Sequence, residues 1–158
     1  MDKAITSALL IIASVVAAVA LINAVLPAMG KSSSALLSAN STASDRVRTS
    51  IEVVHVATDT SPGSEDQVII WVKNVGPNNI VAVNTSDVFL TTPTEVKRVP
   101  YGSGSEYWDY ELESGTDWTR TSTIKITLHL ANGSVVTGVY NIIFTVYNAA
   151  SSSRDFSV

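Results

Sequence analysis

The sequence predicts an α+β protein: a long hydrophobic N-terminal α-helix followed by an antiparallel immunoglobulin-like β-sandwich. Three observations lead there. Ala4 to Met29, AITSALLIIASVVAAVALINAVLPAM, carries no charged residue. Near Ile51 the apolar spacing changes from about 3.6 residues to 2, and β-branched and aromatic residues take over. Beyond that point turn-prone stretches recur roughly every 8–12 residues. The expected boundaries are a hydrophobic helix over 1–50 and a sandwich over 51–158.

Composition sets the outer limits. The chain has 158 residues, 46% of them hydrophobic, with no cysteine and a net charge of −4. Setting aside the apolar run leaves about 125 residues, enough for one domain with its own core and too few for two. Without disulfides, stability must come from that core, from assembly, or from both. The scattered Lys and Arg form no basic stripe, so nucleic acid is not expected as a partner.

As a helix the apolar run reaches about 39 Å, more than the roughly 30 Å hydrocarbon core of a bilayer. Ala8, Ala13, Ser14, Ala17, Ala18, Ala20 and Ala24 recur at spacings of three and four. Small side chains let helix backbones approach closely, so Ala13, Ala17, Ala20 and Ala24 are the candidate helix-packing residues. A lone membrane anchor is the plainer alternative for so Ala-rich a run. A secretory signal has a basic start and a shorter apolar stretch. Met1-Asp2-Lys3 is barely basic, so the run is expected to remain part of the protein.

Gly30 to Ser50 is rich in Ser and Ala, with Leu36, Ala39/Asn40, Ala43 and Val47 near helical spacing. That periodicity predicts a continuing helix, bent near Pro27 where a backbone hydrogen bond is lost. A flexible Ser-rich linker is the alternative. Candidate strands follow at 51–58, 67–74, 80–90, 94–99, 107–113, 123–130, 134–138 and 140–147. Asn132-Gly133 is the strongest hairpin signal among the turns between them. In two strands both faces are apolar: Ile69 and Trp71 lie opposite Val68, Ile70 and Val72, and Ile143 lies opposite Ile142 and Phe144. Such an outer face needs a cover: loops, the long helix, or a neighbouring copy.

The apolar helix, its Ser/Ala-rich helical continuation and the disulfide-free sandwich together resemble the archaellins, within the type IV pilin-like superfamily. Gln67-Val68-Ile69-Ile70-Trp71-Val72-Lys73-Asn74-Val75-Gly76, followed by Asn79-Ile80-Val81, is similar to the strand–Lys-Asn-x-Gly–turn–strand signature of archaellin-type domains. In this turn motif Asn74 is expected to bond backbone groups and Gly76 to take a positive φ. The chain departs from the family where no Gly precedes Ala4, so cleavage would follow Lys3 or the numbering starts at a trimmed end. No glutamate matches the fifth-position residue of bacterial pilins. Tyr140–Tyr147 and Asp155–Val158 are also similar to the β-domain of membrane-anchored archaellum stator-type proteins.

The acidic residues Glu106, Asp109, Glu111, Glu113 and Asp117 surround Tyr107, Trp108, Tyr110 and Trp118. Period 2 places Asp109, Glu111 and Glu113 on one strand face, which favours a solvated face over a structural cation site or a catalytic pair. His55 and His129 are too few for a zinc site. No nucleophile elbow, phosphate loop or dinucleotide fingerprint occurs, so neither catalysis nor a cofactor or resident metal is expected. A membrane-tethered hydrolase therefore has no supporting motif. Asn40, Asn84 and Asn132 begin glycosylation sequons. On Asn40 a sugar would oppose helix packing.

The resemblance implies a homopolymeric, extracellular filament subunit for motility. Its helix waits in the membrane and is then extracted by an assembly ATPase and platform machinery. In an aqueous polymer, burial of 1,500 Å² of helix surface is worth on the order of tens of kcal/mol before ordering costs. A head-to-tail contact that does not close on itself gives a filament. The alternative is a membrane-anchored stator-type protein whose β-domain binds the cell-surface layer.

Overall fold

The computed structural model describes residues 2–61, 63–113 and 115–158. They form two compact units, Met1–Ala43 and Ser44–Val158.

The first element, α1 (Asp2–Arg48), is 47 residues long and runs without a break through Pro27 and through the Ser-rich stretch. The flexible-linker alternative is thereby set aside. Helix formers such as Ala, Leu and Lys outnumber the breakers there. The hydroxyls of Ser41 and Thr42 donate to the carbonyl of Ser38 rather than competing for the backbone. Arg46 and Arg48 lie in the last turn, where cations suit the helix dipole. No residue of α1 is buried.

The second unit holds eight strands: β1 (Ile51–Asp59), β2 (Asp66–Asn74), β3 (Asp87–Thr91), β4 (Val96–Val99), β5 (Tyr107–Leu112), β6 (Thr123–Leu130), β7 (Val139–Thr145) and β8 (Ser151–Ser157). Two four-stranded sheets are ordered β1-β2-β6-β5 and β4-β3-β7-β8, with antiparallel pairing throughout. This is the immunoglobulin order, with β3, β4, β7 and β8 as the second sheet. Every second residue of β2 and β6 is buried. Val68, Ile70 and Val72 stand opposite Leu128, Ile126 and Ile124. They join Val88, Leu90, Tyr140, Ile142 and Phe144 of the other sheet in one core. Trp108 meets Phe144 edge to face, with ring centroids 5.9 Å apart at 88°.

At one side of the sandwich, β8 closes on β1. The Arg154 guanidinium donates to the carbonyls of Val53 and Val54 at 3.0 and 2.9 Å, and Val53 N–H donates to Ser152 Oγ at 3.1 Å. The strand β1 changes register between Val53 and His55, at the point these side chains occupy.

Four expectations need correction. The stretch 80–90 is not one strand: Ile80 makes an isolated bridge to Trp118, Ala82 takes a left-handed backbone at φ 53°, and a 3₁₀ turn over Val83–Thr85 leads into β3. The left-handed residue reverses the chain, which a continuous ladder cannot follow. The stretch 134–138 forms no strand, because the chain there crosses between the sheets. Asn132-Gly133 does turn, with Ser134 N–H bonded to Ala131 O, but it connects β6 of one sheet to β7 of the other and closes no hairpin. The last strand, β8, lies outside all the expected strands.

Tyr140 fixes that crossing. Its hydroxyl donates to Val136 O at 2.8 Å and accepts from Val136 N–H at 3.0 Å, the tyrosine corner of immunoglobulin-like domains. Its ring is buried and stacks on Phe156 of β8. Tyr140→Phe keeps the ring but leaves both Val136 backbone groups without this partner, at a cost of about 1–3 kcal/mol. A denaturant midpoint equal to that of the wild type would refute this.

Candidate functional site

Among the described residues, most of the exposed large apolar side chains belong to α1. Leu9, Leu10, Ile11, Ile12, Val15 and Val16 each leave more than half of their surface exposed. At about 100° per residue, Ala13, Ala17, Ala20 and Ala24 fall within an arc of about 60°, forming a narrow seam flanked by bulky side chains. All four are exposed. Among the described residues, this is the one helix long and apolar enough to cross a membrane.

The end of α1 is locked to the sandwich within the second unit. Thr49 is buried; its hydroxyl donates to Asp45 O at 2.8 Å and accepts from Asn148 Nδ2 at 2.7 Å. Val75 N–H and Gly76 N–H both donate to Ser50 O at 2.9 Å. Asn74, fully buried, is the hub of the junction. Its amide nitrogen donates to Asn78 O and Trp118 O, its side-chain oxygen accepts from Gly76 N–H, and its own backbone pairs with Thr121 and Ser122.

Gly76 does not adopt the positive φ expected of it. It is glycine for want of space: a Cβ there would sit 2.6 Å from Ser50 N and 2.7 Å from Arg48 O. Thr49, Ser50 and Asn148 belong to the same junction and carried no sequence signal, since each is an ordinary small polar residue until the chain brings it to Asn74 and Gly76.

Of the acidic residues between Glu106 and Asp117, Asp109, Glu111 and Glu113 stay on one side of the sheet around Lys125, as the alternation predicts, and are individually partnered. Glu106 pairs with Lys97, Glu111 with Lys125 at 2.9 Å, and Glu113 accepts from Trp71 Nε1 at 2.9 Å. Asp109 lies 3.5 Å from His129 Nε2, while Tyr107 stacks on the His129 ring at 4.4 Å. The Lys125 ammonium, by hydrogen bond first and by charge second, holds the Glu111 carboxyl below its usual range and is itself raised. The pair's contribution is therefore present above the ordinary carboxylate pKa and fades as pH falls. On the outer faces, His55 packs beside Trp71, and Ile69 and Ile143 are half-buried.

The three sequons stand in different settings. Asn40 is on α1, among Leu36, Ala43 and Val47. Asn84 is exposed in the 3₁₀ turn, but Ser86, the sequon's third residue, is buried and its hydroxyl has no partner among the described residues. At the Asn132 turn both Asn132 and Ser134 are exposed. Peptide mass spectrometry of protein from the native host is expected to find sugar at Asn132, to find Asn40 bare, and to find Asn84 modified only if transfer precedes folding. A bare Asn132 beside a modified Asn40 would contradict this.

An exposed apolar helix locked at its end to an immunoglobulin-like sandwich defines a helix-tethered β-sandwich protein. The chain belongs to the archaeal-type flagellin family, whose profile matches residues 3–156. This makes it an archaellum-related protein of the motility apparatus, in a family of structural components. It is 27% identical, over 98% of both chains, to an uncharacterized protein of Archaeoglobus fulgidus. Among solved structures it is similar to the archaellum periplasmic stator protein FlaG of Sulfolobus acidocaldarius, with 23% identity, a TM-score of 0.58, and coverage of 68% of this chain and 99% of that one. It is similar also to the FlaF–FlaG stator complex of the same organism, with 24% identity, a TM-score of 0.56, and coverage of 68% and 89%. At these identities the likeness is one of fold.

Proposed function

We propose that the chain is a structural subunit of an archaellum or type IV pilus-like filament, polymerising through residues 1–50 while residues 51–158 form the outer domain. One observation carries this reading: α1 is helical over its whole length and buries nothing, although its first half is almost wholly apolar. Such a surface demands a bilayer or other helices. Before assembly the bilayer supplies the cover; in the filament, copies of α1 do, with the alanine seam permitting close approach. Assembly requires machinery that extracts the helix, an ATPase and its membrane platform. The product lies outside the cell, contains no nucleic acid and performs no catalysis.

The fold likeness to FlaG supports a second reading, a membrane-held stator-type protein whose sandwich binds a cell-surface layer. Shearing cells and identifying the main polypeptide of the released fibres separates the two. This chain as the fibre protein supports the filament subunit; its recovery only from membranes supports the stator.

A further inference from the structure

Within Ala4–Met29 the polar side chains are Thr6, Ser7, Ser14 and Asn23. The three hydroxyls are satisfied by the helix itself: Thr6 donates to Asp2 O at 2.8 Å, Ser7 to Lys3 O at 2.9 Å and Ser14 to Ile11 O at 2.8 Å. Asn23 is different. Among the described residues its amide makes no side-chain hydrogen bond, and it stands exposed between Leu21-Ile22 and Ala24-Val25. An amide has two donors and an acceptor, and Asn23 lies six residues, about 9 Å, inside the Met29 end of the apolar run, too deep for so short a side chain to reach water. In hydrocarbon these groups cost several kcal/mol if left unpaired, roughly 4–8 on a water-to-cyclohexane scale.

We propose that Asn23 pairs with Asn23 of a second copy while both helices lie in the membrane, before any polymer forms. Two copies inserted in the same direction place residue 23 at the same depth, so each amide finds an identical partner level with it. An Asn pair is self-complementary, since each side chain both donates and accepts. At about 100° per residue, Asn23 lies roughly 90° from the centre of the alanine seam, on a face it shares with Val16, Val19 and Pro27. Two parallel copies meeting on that face bring the amides within reach, whereas a twofold contact at the seam would set them on opposite sides of it. The chain is thus delivered to assembly as a register-matched pair. The inference rests on the reading that α1 spans a bilayer first, which both the filament and the stator readings share.

Cysteine-free background makes the test direct. Full-length protein carrying Val16→Cys, on the Asn23 face, is placed in phosphatidylcholine bilayers and the disulfide-linked dimer is measured, in the parent and with Asn23→Leu, Asn23→Gln, or Asn23→Leu combined with Leu21→Asn. Leu at position 23 favours insertion, so loss of dimer there cannot be loss of the membrane span. Asn23→Leu is expected to lower dimer formation roughly fivefold or more. Asn23→Gln should retain most of it. The relocated amide, on nearly the opposite helix face, should not restore it. Undiminished dimer in Asn23→Leu, or full recovery by Leu21→Asn, overturns the inference. Filaments sheared from cells bearing Asn23→Leu report separately on the filament reading, which stands or falls without the pair.

Discussion

Ala17→Asp is expected to release no filament from cells, while the sandwich of the variant melts as the wild-type domain does. Ala17 lies in the seam with Ala13, Ala20 and Ala24, and no residue of α1 is buried. In a polymer whose helices pack at that seam, each subunit would bury one uncompensated carboxylate. Stranding a charge in this way costs roughly 3–5 kcal/mol per site, and the cost recurs in every copy. Asp also opposes membrane insertion, by about 2.5–3.5 kcal/mol at mid-helix. Ala17→Leu distinguishes the two effects: it is as apolar as its neighbours and inserts, but holds the backbones apart. Electron microscopy of sheared material should show few or no filaments from Ala17→Leu, although the protein reaches the membrane. Normal filaments from either variant would remove the seam from the assembly surface.

The second large effect is expected at Gly76. A Cβ at that position would come within 2.7 Å of two backbone atoms, Ser50 N and Arg48 O. Neither atom belongs to a flexible side chain that can swing away. Both belong to the segment that Thr49 and Asn148 pin from the other side. Gly76→Ala should therefore destabilise the sandwich by roughly 2–3 kcal/mol, in the upper range for overpacking. For a domain of this size that lowers Tm by about 10 °C. Hydrogen exchange should quicken first at the Val75 and Gly76 amides, which bond to Ser50 O. An unchanged Tm would mean that the helix end is free to move aside.

What the sequence disclosed followed the reach of each signal. The helix was legible because an uncharged run of Ala, Leu, Ile and Val needs no tertiary context to be read. β6 was legible to the residue because Ile124, Ile126, Leu128 and Leu130 alternate with polar neighbours. β8 was hidden for the opposite reason. Its sequence, Ser-Ser-Ser-Arg-Asp-Phe-Ser, buries little; Ser152 and Arg154 serve the edge of β1, and Phe156 alone leans on the core through Tyr140. An alanine at φ 53° gives no local sign of itself, so nothing in the sequence marks the break at Ala82. The turn signal marks Gly76 for a positive φ, whereas its crowding by Ser50 arises from residues more than twenty positions away.

Were many copies to stand side by side, as in the proposed filament, the lock that Arg154 and Ser152 place on β1 would govern how their sandwiches meet. A bare strand margin is an invitation to any passing backbone, and crowding multiplies the invitations. Here a guanidinium already occupies the two carbonyls of Val53 and Val54, and a hydroxyl occupies an adjacent N–H. In the proposed filament, neighbouring sandwiches touch at that edge without knitting their ladders together, so the order in which subunits add is left to α1.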